Sequence, residues 1–341
     1  MTIKKFSISR LILTFAFLCN AACVSAIEPS SLIPEIHGTF RGRFEYEPDS
    51  EMQRFQVRNA RVSVSGQIAE PVSYFFQADF CDKGKFKMLD AYGRLAPDSR
   101  WKIMVGQMRI PFSIDASRVP HAYIFANRSF IGKYTSNFRG VGAKFSYSPE
   151  KTPLYIEAGL FNTATMANHD TWQTSVSAGA KARYTFGGCL AAEVGFESLV
   201  PDSIRWNAFD VSLSYQTDRW LIEGEYVNKH YSNSTHATCH AYNFMGQYSM
   251  PVKAGIFNRL AFQTRFDGMT DHSDGYRDEN RRLVTTQPRR NRLTIGSTLA
   301  YLQAKVRCEI RLNYEQYFYP SHIDVAEGNN SKLVAELVIR F

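Results

Sequence analysis

The sequence predicts an all-β chain, a transmembrane antiparallel β-barrel of sixteen strands with one long loop folded into its lumen. Three observations carry this reading: an export signal at the N-terminus, an alternating strand that ends on an aromatic residue at the C-terminus, and connections sorted by length along the chain.

Residues 1–26 read as a signal peptide, and 27–341 as the barrel domain. Lys4, Lys5 and Arg10 form a basic n-region, Leu11 to Leu18 an apolar core, and Val24-Ser25-Ala26 offers the small residues of a cleavage site near Ala26. The apolar run falls far short of the ~20 residues a helix needs to span a bilayer. Cys23 is a rival lipidation site, but Asn20 is a poor residue three places before such a cysteine.

At the other end, Leu333, Ala335, Leu337, Ile339 and Phe341 share one face, and Lys332, Glu336 and Arg340 the other. A period of two is a strand. Apolar residues outward and charges inward suit a wall facing lipid around a wet interior. Phe341 resembles the C-terminal signal by which a barrel-assembly machinery recognises outer-membrane chains.

Mean hydropathy is −0.29 and the net charge is +8, with 25 Phe and 18 Tyr. A membrane chain can be this polar only where every second residue faces water, which a closed barrel permits. The aromatics are numerous enough for two interfacial girdles. Strands are expected over 35–46, 54–67, 71–81, 86–96, 100–108, 137–149, 153–163, 173–186, 189–198, 205–217, 219–231, 238–250, 256–267, 289–302, 305–319 and 331–341. Every second connection is short and built of turn residues, such as Pro97-Asp98-Ser99, Gly187-Gly188 and Pro251 to Gly255. Those between are mostly longer, up to 109–136 and 268–288. Cys81, Cys189, Cys239 and Cys308 fall on no neighbouring pair of expected strands, so no disulfide is expected.

Several strands repeat the outward-apolar pattern. Phe209, Val211, Leu213 and Tyr215 oppose Asp210, Ser212, Ser214 and Gln216, and Val306 to Tyr314 oppose Arg307 to Glu315 in the same way. A midplane Arg facing lipid costs roughly 2–4 kcal/mol, so these charges must face a lumen, and sixteen strands leave it open as an aqueous channel.

Segment 109–136 carries Arg109, Arg118, Arg128 and Lys133 against one acid, Asp115. Exposed, a loop so rich in Ile, Phe and Tyr would be sticky. Folded inward, it buries its apolar side on the wall and leaves its cations in a constriction, where low-dielectric walls focus their field on small anionic solutes. Arg41, Arg43, Arg61, Arg94, Lys181, Arg183, Arg265, Arg307 and Arg311 continue the basic lumen. Asp79, Asp90, Glu223, Glu225, Glu309 and Glu315 face inward too, so part of this set pairs across strands. Arginine suits oxyanions because its planar fork matches their geometry.

The ordered set Val57-Arg58-Asn59-Ala60-Arg61, Gln77-Ala78-Asp79-Phe80, Asp90-Ala91-Tyr92, Gly106-Gln107-Met108-Arg109, Pro111-Phe112, Arg128-Ser129, Gly140-Val141-Gly142 and Leu160-Phe161-Asn162 resembles the phosphate-selective porin O and P family. The resemblance runs from about residue 54 to 163. It implies a sixteen-stranded, usually trimeric pore with an inward-folded loop, and pore-lining roles for Arg61, Arg109 and Arg128. The chain departs from the family pattern at Asn59, where a second arginine is common, and at Asn127, where an acid is common.

No cofactor, metal, nucleic-acid partner or enzymatic activity is expected. His230, His236, Cys239 and His240 resemble a metal cluster, but Cys239 and His240 fall on opposite faces of an expected strand. Asp271, Asp274, Asp278 and Glu279 lack the ligand spacing of a calcium loop. They read as a solvated outer loop, or as one bridging divalent ions between lipopolysaccharide molecules. No nucleophile elbow, zincin motif or P-loop is present. Two alternatives stand beside an anion channel: a channel for a neutral or oligomeric nutrient sliding over the loop aromatics, and a barrel adhesin or rim enzyme.

Overall fold

A computed structural model describes residues 33–341 apart from 83, 137, 164–169, 201–203, 281, 305, 322, 324 and 326–327; the signal peptide lies outside the described residues. The strands are β1 (Glu35–Glu47), β2 (Met52–Ala69), β3 (Val72–Asp82), β4 (Lys85–Leu95), β5 (Trp101–Arg109), β6 (Arg139–Tyr147), β7 (Leu154–Asn162) and β8 (Val176–Phe186). They continue as β9 (Leu190–Leu199), β10 (Trp206–Gln216), β11 (Trp220–Tyr231), β12 (Cys239–Ala254), β13 (Phe257–Met269), β14 (Arg290–Gln303), β15 (Val306–Phe318) and β16 (Lys332–Arg340). Each pairs antiparallel with its sequence neighbours, and β1 pairs with β16, so the sixteen-stranded sheet closes on itself. Closure leaves no edge to satisfy in lipid.

Alternation decides which side chains face out. On β10, Phe209, Val211, Leu213 and Tyr215 are exposed while Asp210, Ser212 and Ser214 are buried; on β15, Ile310 and Leu312 are exposed while Glu309, Arg311, Asn313 and Glu315 are buried. The short connections gather at one end of the barrel and the long segments 110–138 and 270–289 at the other, as in outer-membrane barrels.

Two expectations need correction. Pro251 to Gly255 is not all turn: β12 runs on to Ala254, and the turn lies at Gly255, whose φ is 60°. Pro251 pairs with Arg259 just before a register shift, and a bulge is where a strand accepts a residue without an N–H. Strict alternation also fails at several register shifts, two of which bear on the lumen. The register of β1 on β2 steps from Arg41↔Asn59 to Gly42↔Val57, which leaves Arg58 as an extra residue. On β3 and β4 it steps from Gln77↔Asp90 to Ala78↔Met88, which leaves Leu89 extra. Each bulge turns two consecutive residues, Arg58 with Asn59 and Leu89 with Asp90, to the lumen side.

Candidate functional site

Segment 110–138 lies inside the barrel on the wall formed by β8 to β16. It contains a helical turn (Ile114–Ser117), a 3-10 turn (Pro120–Ala122) and a π-helical turn (Ile131–Thr135). Glycines on the wall make its seat. A Cβ built on Gly179 would stand 2.4 Å from Ile110 Cγ2, and one on Gly195 would stand 3.1 Å from the Phe112 ring. The seated side chains Phe112, Phe125, Phe130 and Ile131 are almost wholly buried.

Polar anchors fix the seat. Glu225 accepts from Ser113 Oγ at 2.6 Å and from the Ile114 N–H at 2.8 Å. Asp267 accepts from the Phe130 N–H at 2.9 Å, and Arg292 donates to the Arg128 carbonyl at 2.7 Å while pairing with Asp267 at 2.8 Å. Asn313 Oδ1 accepts from the Ala126 N–H at 2.8 Å. Within the loop, Asp115 accepts from Ser129 Oγ at 2.7 Å. Burial pushes the Asp115 carboxyl up, but Arg128 and Arg118 outweigh it and hold the group below its usual range. Burial, with Arg340 and Arg307 facing the ring, pushes His121 down to about 4, so it adds no charge at neutral pH.

Between the loop and the opposite wall lies a cavity of about 930 Å³. Among the described residues it is lined by Arg41, Arg43, Arg58, Arg61, Lys87, Arg128, Lys133 and Arg139, with Asp79 as the one acid. Arg41 donates to Glu336 and to the Ala126 carbonyl, both at 2.6 Å, and stands 4.9 Å from the centre of the Tyr123 ring. Arg43 donates to Gln56 at 3.0 Å and to Asn127 Oδ1 at 2.8 Å. Asp79 holds Arg61 at 2.8 Å and Asn59 at 2.7 Å. Arg139 lies against Asp90 at 3.0 Å. Arg58 and Lys133 have no carboxylate partner among the described residues; the Lys133 ammonium sits 4.7 Å from the Tyr134 ring centre.

The sequence-derived site residues therefore separate. Arg41, Arg43, Arg61, Asp79, Arg128 and Lys133 come together at the cavity. Arg118 does not: it is clamped to Glu223 and, at 3.3 Å, to Asp115, between loop and wall. Arg109 ends β5 in register with Arg139, and it is Arg139 that lines the cavity. Arg265 and Arg311 are buried in ion pairs, at 3.4 Å to Asp267 and 3.2 Å to Glu336, and Arg307 pairs with Glu309. Arg94 donates to Ser73 at 3.1 Å, and Arg183 lines a small opening with Gln216 and Asp218; both lie toward the short-turn end. Arg139 and the anchor pair Asp267–Arg292 escaped the sequence reading, although alternation on their strands gives the parity of each; Lys87 escaped it because the bulge at Leu89 reverses its parity. Arg58 escaped it as a lining residue because a bulge reverses parity.

The loop aromatics turn largely to the wall, with Tyr123 and Phe138 reaching the cavity. Tyr123 is buried between Arg41 and Arg128, at 4.9 and 5.1 Å, and Phe130 lies under Arg290 and Arg292, at 4.9 and 4.6 Å. Cation–π contact holds these rings against the wall and takes their faces away from solute. In the outer loop, Asp271 and Asp278 accept from backbone N–H groups of Arg289 and Arg282, so they shape the loop itself. Cys239 is buried, and His240 points to the other face with Tyr226.

A barrel with lipid-facing outer rows, charged inner rows and a loop seated in its lumen offers solute one route, along the axis. The protein is a porin, an integral outer-membrane channel for passive diffusion of small hydrophilic solutes. It belongs to the phosphate-selective porin O and P family, whose sequence model matches residues 35–205. That span covers β1 to β9 and the whole seated loop.

Solved structures share the fold at low identity. An anion-selective porin from Comamonas acidovorans is 11% identical, with 90% of this chain and 98% of that one covered and a TM-score of 0.63. OmpF of Salmonella typhi, in complex with daunomycin, is 14% identical over 93% of this chain and 100% of that one, TM-score 0.62. OmpT of Vibrio cholerae in a trimer form is 14% identical over 91% and 98%, TM-score 0.57. No curated protein matches the sequence.

Proposed function

We propose that this porin prefers anions, phosphate and other small oxyanions among them, and that the cavity beside the seated loop is its filter. One observation carries the reading: among the described residues eight cations face that cavity against one acid, Asp79. Arginine forks match phosphate oxygens two at a time, and a narrow opening between low-dielectric walls strengthens their field. Selectivity for phosphate over other anions is weaker than a second arginine at Asn59 would give, since Asn59 here bridges Arg41 and Asp79. The trimer form of OmpT supports a homotrimer as the working assembly.

Reversal potentials across a KCl gradient in planar bilayers test the filter. The parent should pass chloride in preference to potassium and be blocked by phosphate. Arg58→Gln with Lys133→Gln should reduce the anion preference at least about two-fold, because neither charge is cancelled nearby. Arg277→Gln, in the outer loop and outside the cavity lining, should leave it unchanged, since salt screens a charge beyond about 8–10 Å. A parent channel that favours potassium sinks the proposal.

A further inference from the structure

The cavity beside the seated loop has an apolar corner as well as a charged side. The corner lies where the loop leaves β5 and rejoins β6. There the Ile110 N–H donates to the Phe138 carbonyl at 3.1 Å, which carries the β5–β6 ladder one pair past Arg109 and Arg139. Phe138 keeps the parity of Gly140 and Gly142, against which the buried Phe161 packs. Its ring reaches Trp206 at the start of β10, 5.4 Å between centres. Leu199 and Val200, at the end of β9, complete the corner, and both line the cavity with Ile110 and Phe138.

Two features set this corner apart from ordinary core. Ile110 and Leu199 are buried, but Phe138 and Val200 are half-buried and still meet water. Covering such surface with an apolar group is favourable without any directed bond. The cavity is also large: about 930 Å³ lies near the top of the roughly 300–1,000 Å³ that organic ligands fill. One inorganic phosphate takes up a small part of that space. Arg58 and Lys133, which have no carboxylate partner among the described residues, line the same cavity and supply uncancelled charge to hold an anionic headgroup. A solute that satisfies both sides carries its charge at one end and an apolar body at the other.

We propose that the cavity holds organic anions with a compact apolar body, aryl phosphates and aryl carboxylates, more tightly than inorganic anions, and that Phe138 and Val200 select the body. The headgroup meets the cations, and the ring lies over Phe138 and Val200, where it displaces water from both side chains. The inference rests on the anion reading of this cavity and narrows it to a solute class.

Block of the chloride current in planar bilayers by phenylphosphate and by inorganic phosphate tests it, at about pH 8, where both are mostly dianions. Covering about 60 Å² of the phenyl ring should let phenylphosphate block at about ten-fold lower concentration than phosphate. Phe138→Ser should narrow that ratio to about three-fold or less. Val200→Asn, which leaves the contact of Phe138 with Trp206 in place, should narrow it about two-fold. Heat-modifiable migration reports that each variant has folded, and the parent ratio and Val200→Asn still decide the matter if Phe138→Ser does not fold. Equal block by the two anions in the parent overturns the apolar corner and leaves the anion filter standing. A parent blocked by neither anion removes the filter and the inference with it. A ratio unchanged in the folded variants overturns the assignment to Phe138 and Val200.

Discussion

Asp79 does two things at once at the scale of a single residue. Among the described residues it is the one acid at the basic cavity, and it accepts from Arg61, Asn59 and the backbone N–H groups of Ala60 and Cys81, at 2.7 to 3.2 Å. Asp79→Asn removes the opposing charge but also unpairs Arg61. The expected outcome is a stronger anion preference in reversal-potential measurements, with a stability loss of about 1–3 kcal/mol in the heat-modifiability midpoint. A weaker anion preference would mean that Arg61 needs its partner to hold its place in the pore. Most residues at this scale were legible from period-two alternation: Arg41, Arg43, Arg61 and Asp79 face inward as their parity requires. Arg58 was not, because its parity points to lipid and only the pairing of β1 with β2 reveals the extra residue.

The seated loop is the element on which permeation turns. Its inward course was legible in a composition too apolar for solvent and too basic for lipid. Its anchors were not. Glu225 and Asp267 stand 111 and 137 positions from the loop atoms they hold, a distance over which no local pattern speaks. The same pairing accounts for Arg118, legible as a cation but not as one cancelled by Glu223. Gly179 gives the sharpest test. Gly179→Val would drive a Cβ to within 2.4 Å of Ile110 Cγ2 and 3.0 Å of the Pro111 carbonyl, while the strand backbone tolerates valine. The loop should lift at its first residues, and single-channel conductance should rise with added current noise. Conductance and noise equal to the parent would mean that the Glu225 and Asp267 anchors hold the loop without its seat.

At the scale of the whole molecule, Phe341 extends the seam that closes β1 on β16. Phe341 exchanges backbone hydrogen bonds with Gly38 at 2.9 and 3.2 Å, and its ring occupies the space where a Cβ on Gly38 would stand, 2.3 Å away. Deleting Phe341, or Gly38→Val, should therefore lower the amount of heat-modifiable barrel in the outer membrane while leaving export intact. Normal barrel levels in both variants would show that β1 and β16 close without this contact. The sixteen strands and the sorting of their connections were legible because lipid enforces alternation at every strand; the detailed register was not, since pairing is a property of two strands together. The closed ring also separates charge across its diameter. Arg58, Arg61 and Lys87 stand on β2 and β4, while Glu193, Glu197, Asp210, Glu223 and Glu225 are buried on β9 to β11 behind the loop. Cations therefore stand on both sides of the open gap, Arg58, Arg61 and Lys87 on the strands and Arg128 and Lys133 on the loop, while the acids behind the loop are spent within the wall, Glu223 on Arg118 and Glu193 on Lys181.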